Sequence, residues 1–404
     1  MHPLAMDLDA LLRRAVFSGA SDVHFKLGQP PFFRHDGELA PVEDVSPLAD
    51  ADLEAVLNEV TGSAPGRREL FERTGELDIA YSTPELPRFR VNGFRQRGAI
   101  SFAFRLIPDS IPSFEELRLP PGVARLAGEQ RGLVLVTGAT GSGKTTTLGA
   151  MLDHINRTRR QHIVTIEDPI EIVHEDRGCI VNQREVGLDT ESFGQALRRV
   201  LRQDPDVILI GELRDAETAQ VALQAAESGH LVFSTLHTLD AAETIGRMIE
   251  FFPPEKQAQI VSILAGVLRG VISQRLLPRV GGGRIPAVEV MVSNARIAEL
   301  VRERRTEEIS DAIAEGEFFE MQTFAKALIA LVLGGLVDRE VAANAASNRH
   351  DFELALEHAE KAARMAQKAP ALEEQTASEP EQPLVPPTEP KPDDGLPALR
   401  IAGS

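Results

Sequence analysis

The sequence predicts an α/β protein in which a parallel-rich, helix-flanked sheet follows a small α+β domain. Three observations predict it. Apolar and polar residues alternate with period two over residues 70–107. Short unbroken apolar runs, separated by helix-like stretches, follow from 133 to 233. A glycine-rich segment at 138–145 stands directly after the first of those runs.

In chain order, residues 8–17 and 50–60 carry helical periodicity. Leu77, Ile79 and Tyr81, then Phe89 and Val91, then Ile100, Phe102, Phe104 and Leu106 alternate with polar residues, the pattern of half-buried strands. Residues 1–107 are therefore expected to form an α+β domain with an antiparallel sheet. Pro108 and Pro112 mark 108–117 as the linker to a second domain, 118–366. There the runs 133–136, 163–166, 207–210 and 231–233 fit strands buried on both faces. Residues 255–366 read as mostly helical, with a turn at 281–283 and a candidate strand at 287–291. Beyond them, 367–404 is rich in Pro, Glu and Ala and is expected to be a disordered tail.

Composition narrows the function. A net charge of -18, no Trp and a single Tyr argue against a surface for nucleic-acid phosphates or stacked bases. The one cysteine, Cys179, suits a reducing compartment and a cytoplasmic location, and cannot build a four-cysteine zinc module. The first 20 residues lack the unbroken apolar core of a secretion signal. The most apolar late stretch, 324–337, is interrupted by Lys326 and is shorter than the roughly 20 residues that span a bilayer. No transmembrane segment is expected, so any membrane role is by docking.

Gly138, Ala139, Thr140, Gly141, Ser142, Gly143, Lys144 and Thr145 match the full G-x-x-x-x-G-K-[ST] phosphate loop, with Thr146 following in the helix. Glycines let successive N–H groups curl around phosphate oxygens, Lys144 reaches the β and γ phosphates, and the Thr145 hydroxyl is a Mg²⁺ ligand. ATP and Mg²⁺ are the implied cofactors. The run 207–210 leads into Gly211 and Glu212, where a carboxylate serves either the metal shell or water activation. The other buried runs also lead into polar clusters, Glu167, Asp168 and Glu171 after one, Ser234, Thr235 and His237 after another. In a parallel sheet all of these reach the phosphate-loop edge, where ligands bind. His237 is thereby a nucleotide-linked candidate, and His230, which precedes its strand, a poorer one. Hydrolysis in such loops needs a cation on the transferring phosphate. Arg88 and Arg90, on one strand face, and Arg105 are the candidates.

Taken in order, these segments resemble the PilT-type type IV pilus retraction ATPases within the type II and IV secretion ATPase family. The resemblance covers roughly residues 6–350. It includes Ala20-Ser21-Asp22-Val23-His24, Arg88-Phe89-Arg90-Val91-Asn92, the phosphate loop and the acidic box from Thr165 to Glu171. It continues through Val181 to Val186, Gly211 to Asp215, the histidine box from Gly229 to Thr238, and Ile272-Ser273-Gln274-Arg275-Leu276. It implies a PAS-like N-terminal domain joined to a RecA-like ATPase domain, assembled as a homohexamer. Such a ring would dock at the inner-membrane pilus base on a platform protein, alongside a paralogous pilus ATPase, to drive twitching motility. Carried over residue by residue, Glu171 and Glu212 serve water activation and the Mg²⁺ shell, Arg88, Arg90 and Arg105 reach the nucleotide, and His237 is the second box histidine.

Two features depart from that pattern. Retraction ATPases carry A-I-R-N-L-I-R-E late in the chain, where this sequence has Ala298 and Glu299 in place of the central Arg-Asn. The acidic, proline-rich tail is also longer than usual. An accessory PilU-type ATPase, a pilus-assembly or type II secretion ATPase and a non-hydrolysing scaffold remain as alternatives.

Overall fold

The structure, a computed structural model, describes residues 7–35, 37–62, 64–107 and 110–376, with side chains to 365. The N-terminal part runs α1 (Leu8–Ser18), β1 (Asp22–Lys26), β2 (Phe32–His35), β3 (Glu38–Pro41), α2 (Asp50–Val60), α3 (Pro65–Thr74), β4 (Glu76–Thr83), β5 (Leu86–Gln96) and β6 (Ala99–Leu106). Local chemistry sets the ends of α1: the Asp7 carboxylate accepts from the Ala10 N–H, and Gly19 ends the helix in the left-handed region at φ 76°. The six strands form an antiparallel sheet ordered β3-β2-β1-β6-β5-β4. One face buries Val23, Phe25, Phe89, Val91, Phe102 and Phe104 against α1 and α2, while Asp22, Arg90 and Arg105 lie on the other.

The second part runs α4 (Pro121–Ala127), β7 (Gly132–Thr137), α5 (Lys144–Thr158), β8 (His162–Glu167), β9 (Ile180–Glu185), α6 (Phe193–Val200), β10 (Val207–Ile210), α7 (Ala216–Glu227), β11 (Leu231–Leu236) and α8 (Ala241–Glu250). It continues through α9 (Pro254–Val267), β12 (Leu268–Pro278), β13 (Arg284–Val292), α10 (Ala295–Glu303), α11 (Ile309–Ala314), α12 (Phe324–Leu333), α13 (Arg339–Ala345) and α14 (Arg349–Thr376). Its seven strands lie in the order β13-β12-β7-β11-β10-β8-β9. All neighbours are parallel except β12 and β13, so the sheet is mixed. Helices cover both faces, and every residue of β7, β10 and β11 is buried, which is why those runs are continuously apolar.

The structure corrects the helical reading of 255–366. Residues 268–278 are a strand, and the turn at 281–283 joins β12 to β13 as a hairpin beside β7. The apolar run of β12 is buried between helices, and such a run looks the same in a buried helix. With α9 ending at Val267 and β12 starting at Leu268, no loop marks the switch. The strands β1 to β3 and helix α3 were not individually expected. In the predicted tail, 367–376 is helical as the end of α14, although the segment contains Pro370. Residues 377–404, and linker positions 108 and 109, lie outside the described residues.

Among the described residues two hydrophobic clusters form, one drawn from residues 8–106, the other from 114–321. Through Glu353 the described chain is one compact unit, and from Leu354 it forms a second. No helix among the described residues is long and apolar enough to cross a membrane.

Candidate active site

The glycine-rich loop leaves β7 at a place only glycine fills. Gly138 has φ 139°, and a β-carbon there would lie 2.3 Å from the Gln274 carbonyl oxygen. Gly143, at φ 92°, passes directly into α5 at Lys144, so the free N–H groups of the helix start face the loop. Ala139, Thr140 and Gly141 form its exposed crest, Ser142 is buried with no partner for Oγ among the described residues, and Thr145 and Thr146 are half-buried in the first turn of α5. Lys144 Nζ donates to the carbonyls of Gly138 at 2.8 Å and Ala139 at 3.1 Å, folding its cation over its own loop. Burial holds the Lys144 ammonium below the usual lysine range, while the carboxylates of Glu212 and Glu171 pull it back up.

Because β7, β11, β10 and β8 are mutually parallel, their carboxyl ends open on this same edge. Glu212, just past β10, lies between two cationic or protonatable groups: Oε1 is 3.1 Å from His237 Nε2, and Oε2 accepts from Arg214 Nε at 3.0 Å. His237 follows β11, as its sequence position required. From this pair an open groove of about 850 Å³ runs along α8, lined among others by Arg214, Asp240 and Arg247. His230 lies at the opposite end of β11, where Nδ1 sits 2.9 Å from the Ala225 carbonyl, away from the loop. At the end of β8, Glu167 is buried and accepts from Thr165 Oγ1 at 2.6 Å and Gln183 Nε2 at 3.2 Å. Burial pushes its pKa up to about 7 against those two hydrogen bonds.

The N-terminal sheet meets this edge through arginines. Arg88 donates to Glu185 Oε2 at 2.6 Å and to the Ile170 carbonyl at 3.2 Å. Arg90 donates to Glu171 Oε1 at 2.9 Å and to Asp78 Oδ2 at 2.8 Å. Arg67 adds a third tie to the Val186 carbonyl at 2.6 Å. Arg105 stands apart from the other two. Its Nε donates to Asp22 Oδ1 at 2.9 Å, and its side chain is 73% exposed, so within this chain it is not brought to the loop. Burial pushes the Asp22 carboxyl up, but Ser21, Arg105 and Arg34 outweigh it and leave it below the usual range.

Glu171 thus faces Arg90 at the seam between the two sheets, whereas Glu212 faces His237 inside the strand-end cluster. Glu185, the buried partner of Arg88, was not singled out among the site candidates. It ends the edge strand β9, and nothing in its local pattern distinguishes it from a surface glutamate.

Comparison with known proteins identifies the family. Residues 118–324 match the family model described as Type II/IV secretion system protein. The chain is 45% identical over 347 residues to the type IV pilus retraction ATPase PilT of Pseudomonas aeruginosa, across 86% of this chain and 100% of that protein. It is 39% identical over 350 residues to the type IV pilus ATPase PilU of the same organism, across 86% of this chain and 91% of that one. The crystal structure of the pilus retraction motor PilT with bound ADP superposes with a TM-score of 0.80 at 42% identity, covering 86% of this chain and 99% of that chain. With an α/β fold, a mixed sheet and an acidic and basic cluster at its glycine-rich edge, the chain belongs to the type II/IV secretion ATPase family, as a PilT-type member.

Proposed function

We propose that the chain is a P-loop motor that hydrolyses ATP with Mg²⁺ and, as a homohexamer, powers type IV pilus retraction. One observation carries this reading: the ends of parallel strands and one helix start bring Lys144, Glu212 and His237 to a single edge, with Glu171 at its margin. In this reading residues 118–366 are a RecA-like domain, 1–107 a PAS-like domain and 108–117 their linker.

The residues fit the cofactors. The loop N–H groups and the Ser142 hydroxyl, which has no partner among the described residues, suit phosphate oxygens, and Thr145 and Glu212 offer the oxygen ligands that Mg²⁺ prefers. Mg²⁺ there would neutralise charge on the phosphates. Lys144, released from the Gly138 and Ala139 carbonyls, binds the β and γ phosphates. Glu212 takes the metal shell or orients water, His237 positions the Glu212 carboxylate, and Glu171 is the second candidate for water activation. Arg88 and Arg90 are placed at the acidic box within the chain, and Arg105 serves a neighbouring copy. The ring docks from the cytoplasm onto an inner-membrane platform protein, and nucleic acid is no partner.

A second reading, an accessory PilU-type retraction ATPase, is favoured by α10, where Ala298 and Glu299 replace the central Arg-Asn of the retraction pattern. Similarity to both PilT and PilU leaves the catalytic assignment the same.

The test is ATPase activity of wild type beside Lys144→Ala and Glu212→Ala, with mass measured by light scattering with and without nucleotide. A hexamer that turns over ATP, with both variants inactive, supports the motor. A hexamer that binds ATP with Mg²⁺ but never turns it over overturns the catalytic assignment.

A further inference from the structure

We propose that Gln274 is a positioning residue for the phosphate loop, fixing its curl from the neighbouring strand without itself touching nucleotide. The inference rests on the nucleotide-binding reading above and adds a residue on β12, the strand whose sequence looked helical.

The register is set one residue earlier. Ser273 pairs with Thr137, the last residue of β7, and their hydroxyl oxygens are 3.0 Å apart with neither side chain exposed. Gln274 then runs alongside the loop at three points. Its carbonyl oxygen lies where a β-carbon on Gly138 would sit 2.3 Å away. Its Nε2 lies 3.0 Å from the β-carbon position of Gly143. Its Oε1 accepts from Thr147 Oγ1 at 2.9 Å, one turn into α5. A single residue therefore brackets the loop from its first glycine to its last and ties the bracket to the helix that follows.

Burial makes this arrangement specific. Gln274 is 3% exposed and Thr147 1%, and a buried carboxamide is costly unless it is hydrogen-bonded. The Thr147 hydroxyl satisfies the carboxamide oxygen and thereby selects one rotamer. The strand itself is held from its opposite face, since successive side chains alternate across it. There Arg275 lies 4.0 Å from the Phe324 ring centroid and donates to Ser347 Oγ at 3.0 Å and to the Ala345 carbonyl. Gln274 is thus fixed between the helical C-terminal part and the loop, and can hold the loop's N–H groups in the orientation that phosphate requires. Moving the loop by a fraction of an ångström spoils those hydrogen bonds, so the cost falls on binding.

The experiment titrates Mg²⁺ and ADP into the full chain by calorimetry and measures KM and kcat for ATP, using Gln274→Ala, Thr147→Val, the double variant and Thr147→Ser. Each of the first two should weaken ADP binding about tenfold and raise KM by a similar factor, with kcat at saturating ATP within about threefold. The double variant should be no weaker than the weaker-binding single, because one contact is removed twice. Thr147→Ser, which keeps the hydroxyl, should bind like wild type. Folded Gln274→Ala or Thr147→Val with wild-type ADP affinity overturns the proposal, as does a lowered melting temperature with affinity unchanged. If Gln274→Ala fails to fold, the isosteric Thr147→Val reads the same contact from the other side. Wild type that binds no ADP sinks the nucleotide reading itself, an outcome distinct from wild type and variants binding alike.

Discussion

The two sheets place their polar residues by opposite rules. In the parallel-rich sheet, helices bury both faces of β7, β10 and β11, so the polar side chains proposed for nucleotide sit at or beyond the strand ends: Lys144, Glu212 and His237. In the antiparallel sheet the face opposite α1 and α2 carries polar residues, and Arg88, Arg90 and Arg105 are strung along the strands themselves. Topology therefore guarantees that the first group converges, while the second converges only where the sheet happens to lie against the acidic box. Arg88 and Arg90 meet it, and Arg105 does not.

The strand-end rule is tested most severely by Glu212→Gln, which keeps shape and removes the charge. Turnover should fall by about 10³, the range expected for losing a general acid-base group, while ADP affinity stays within about threefold. Surviving turnover would break the rule. Next in size is Arg88→Ala. Among the described residues it leaves the Glu185 carboxylate, 1% exposed, with only the Ile170 N–H at 3.2 Å, and should destabilise the fold by about 3 kcal/mol in chemical denaturation. A change under about 0.5 kcal/mol would mean that the seam between the sheets is already open in solution.

A smaller effect comes from Glu289 on β13, which accepts from the Ala241 N–H at 3.0 Å, just beyond the His237 loop. Burial pushes its pKa up to about 7 from an ordinary 4.5, with Asp240 adding to the rise and Ala241 and Arg275 opposing it. A raised folded pKa contributes stability that is full below pH about 4.5 and is lost as pH rises through about 7. Glu289→Gln should therefore melt above wild type at pH 8, and the advantage should disappear towards pH 5. A constant difference across that window would remove the titration from the explanation.

The smallest stability effect is expected at Arg105. Its exposed guanidinium forms a solvent-screened pair with an Asp22 that keeps Ser21 and Arg34, so Arg105→Ala should shift stability by less than about 1 kcal/mol. If the group serves another copy, turnover should nonetheless drop tenfold or more. Unchanged turnover would sharpen the comparison, restricting the useful arginines to those already at the seam.

The sequence by itself determined the glycine-rich loop, the four buried runs 133–136, 163–166, 207–210 and 231–233, and the alternating strands β4 to β6. In each case the signal is local: a fixed spacing of glycines and lysine, unbroken burial, or period-two alternation. Tertiary structure decided what depends on neighbours far along the chain. It made β12 a strand because β7 offers it a partner, paired Arg88 with Glu185 and Arg90 with Glu171 across more than 80 residues, and left Arg105 outward with Asp22. It also set Gln274 against Gly138 and Gly143. Local pattern records which face of an element is buried, because burial selects residue type. Which surfaces then meet is set by packing between elements, which leaves no mark on residue spacing.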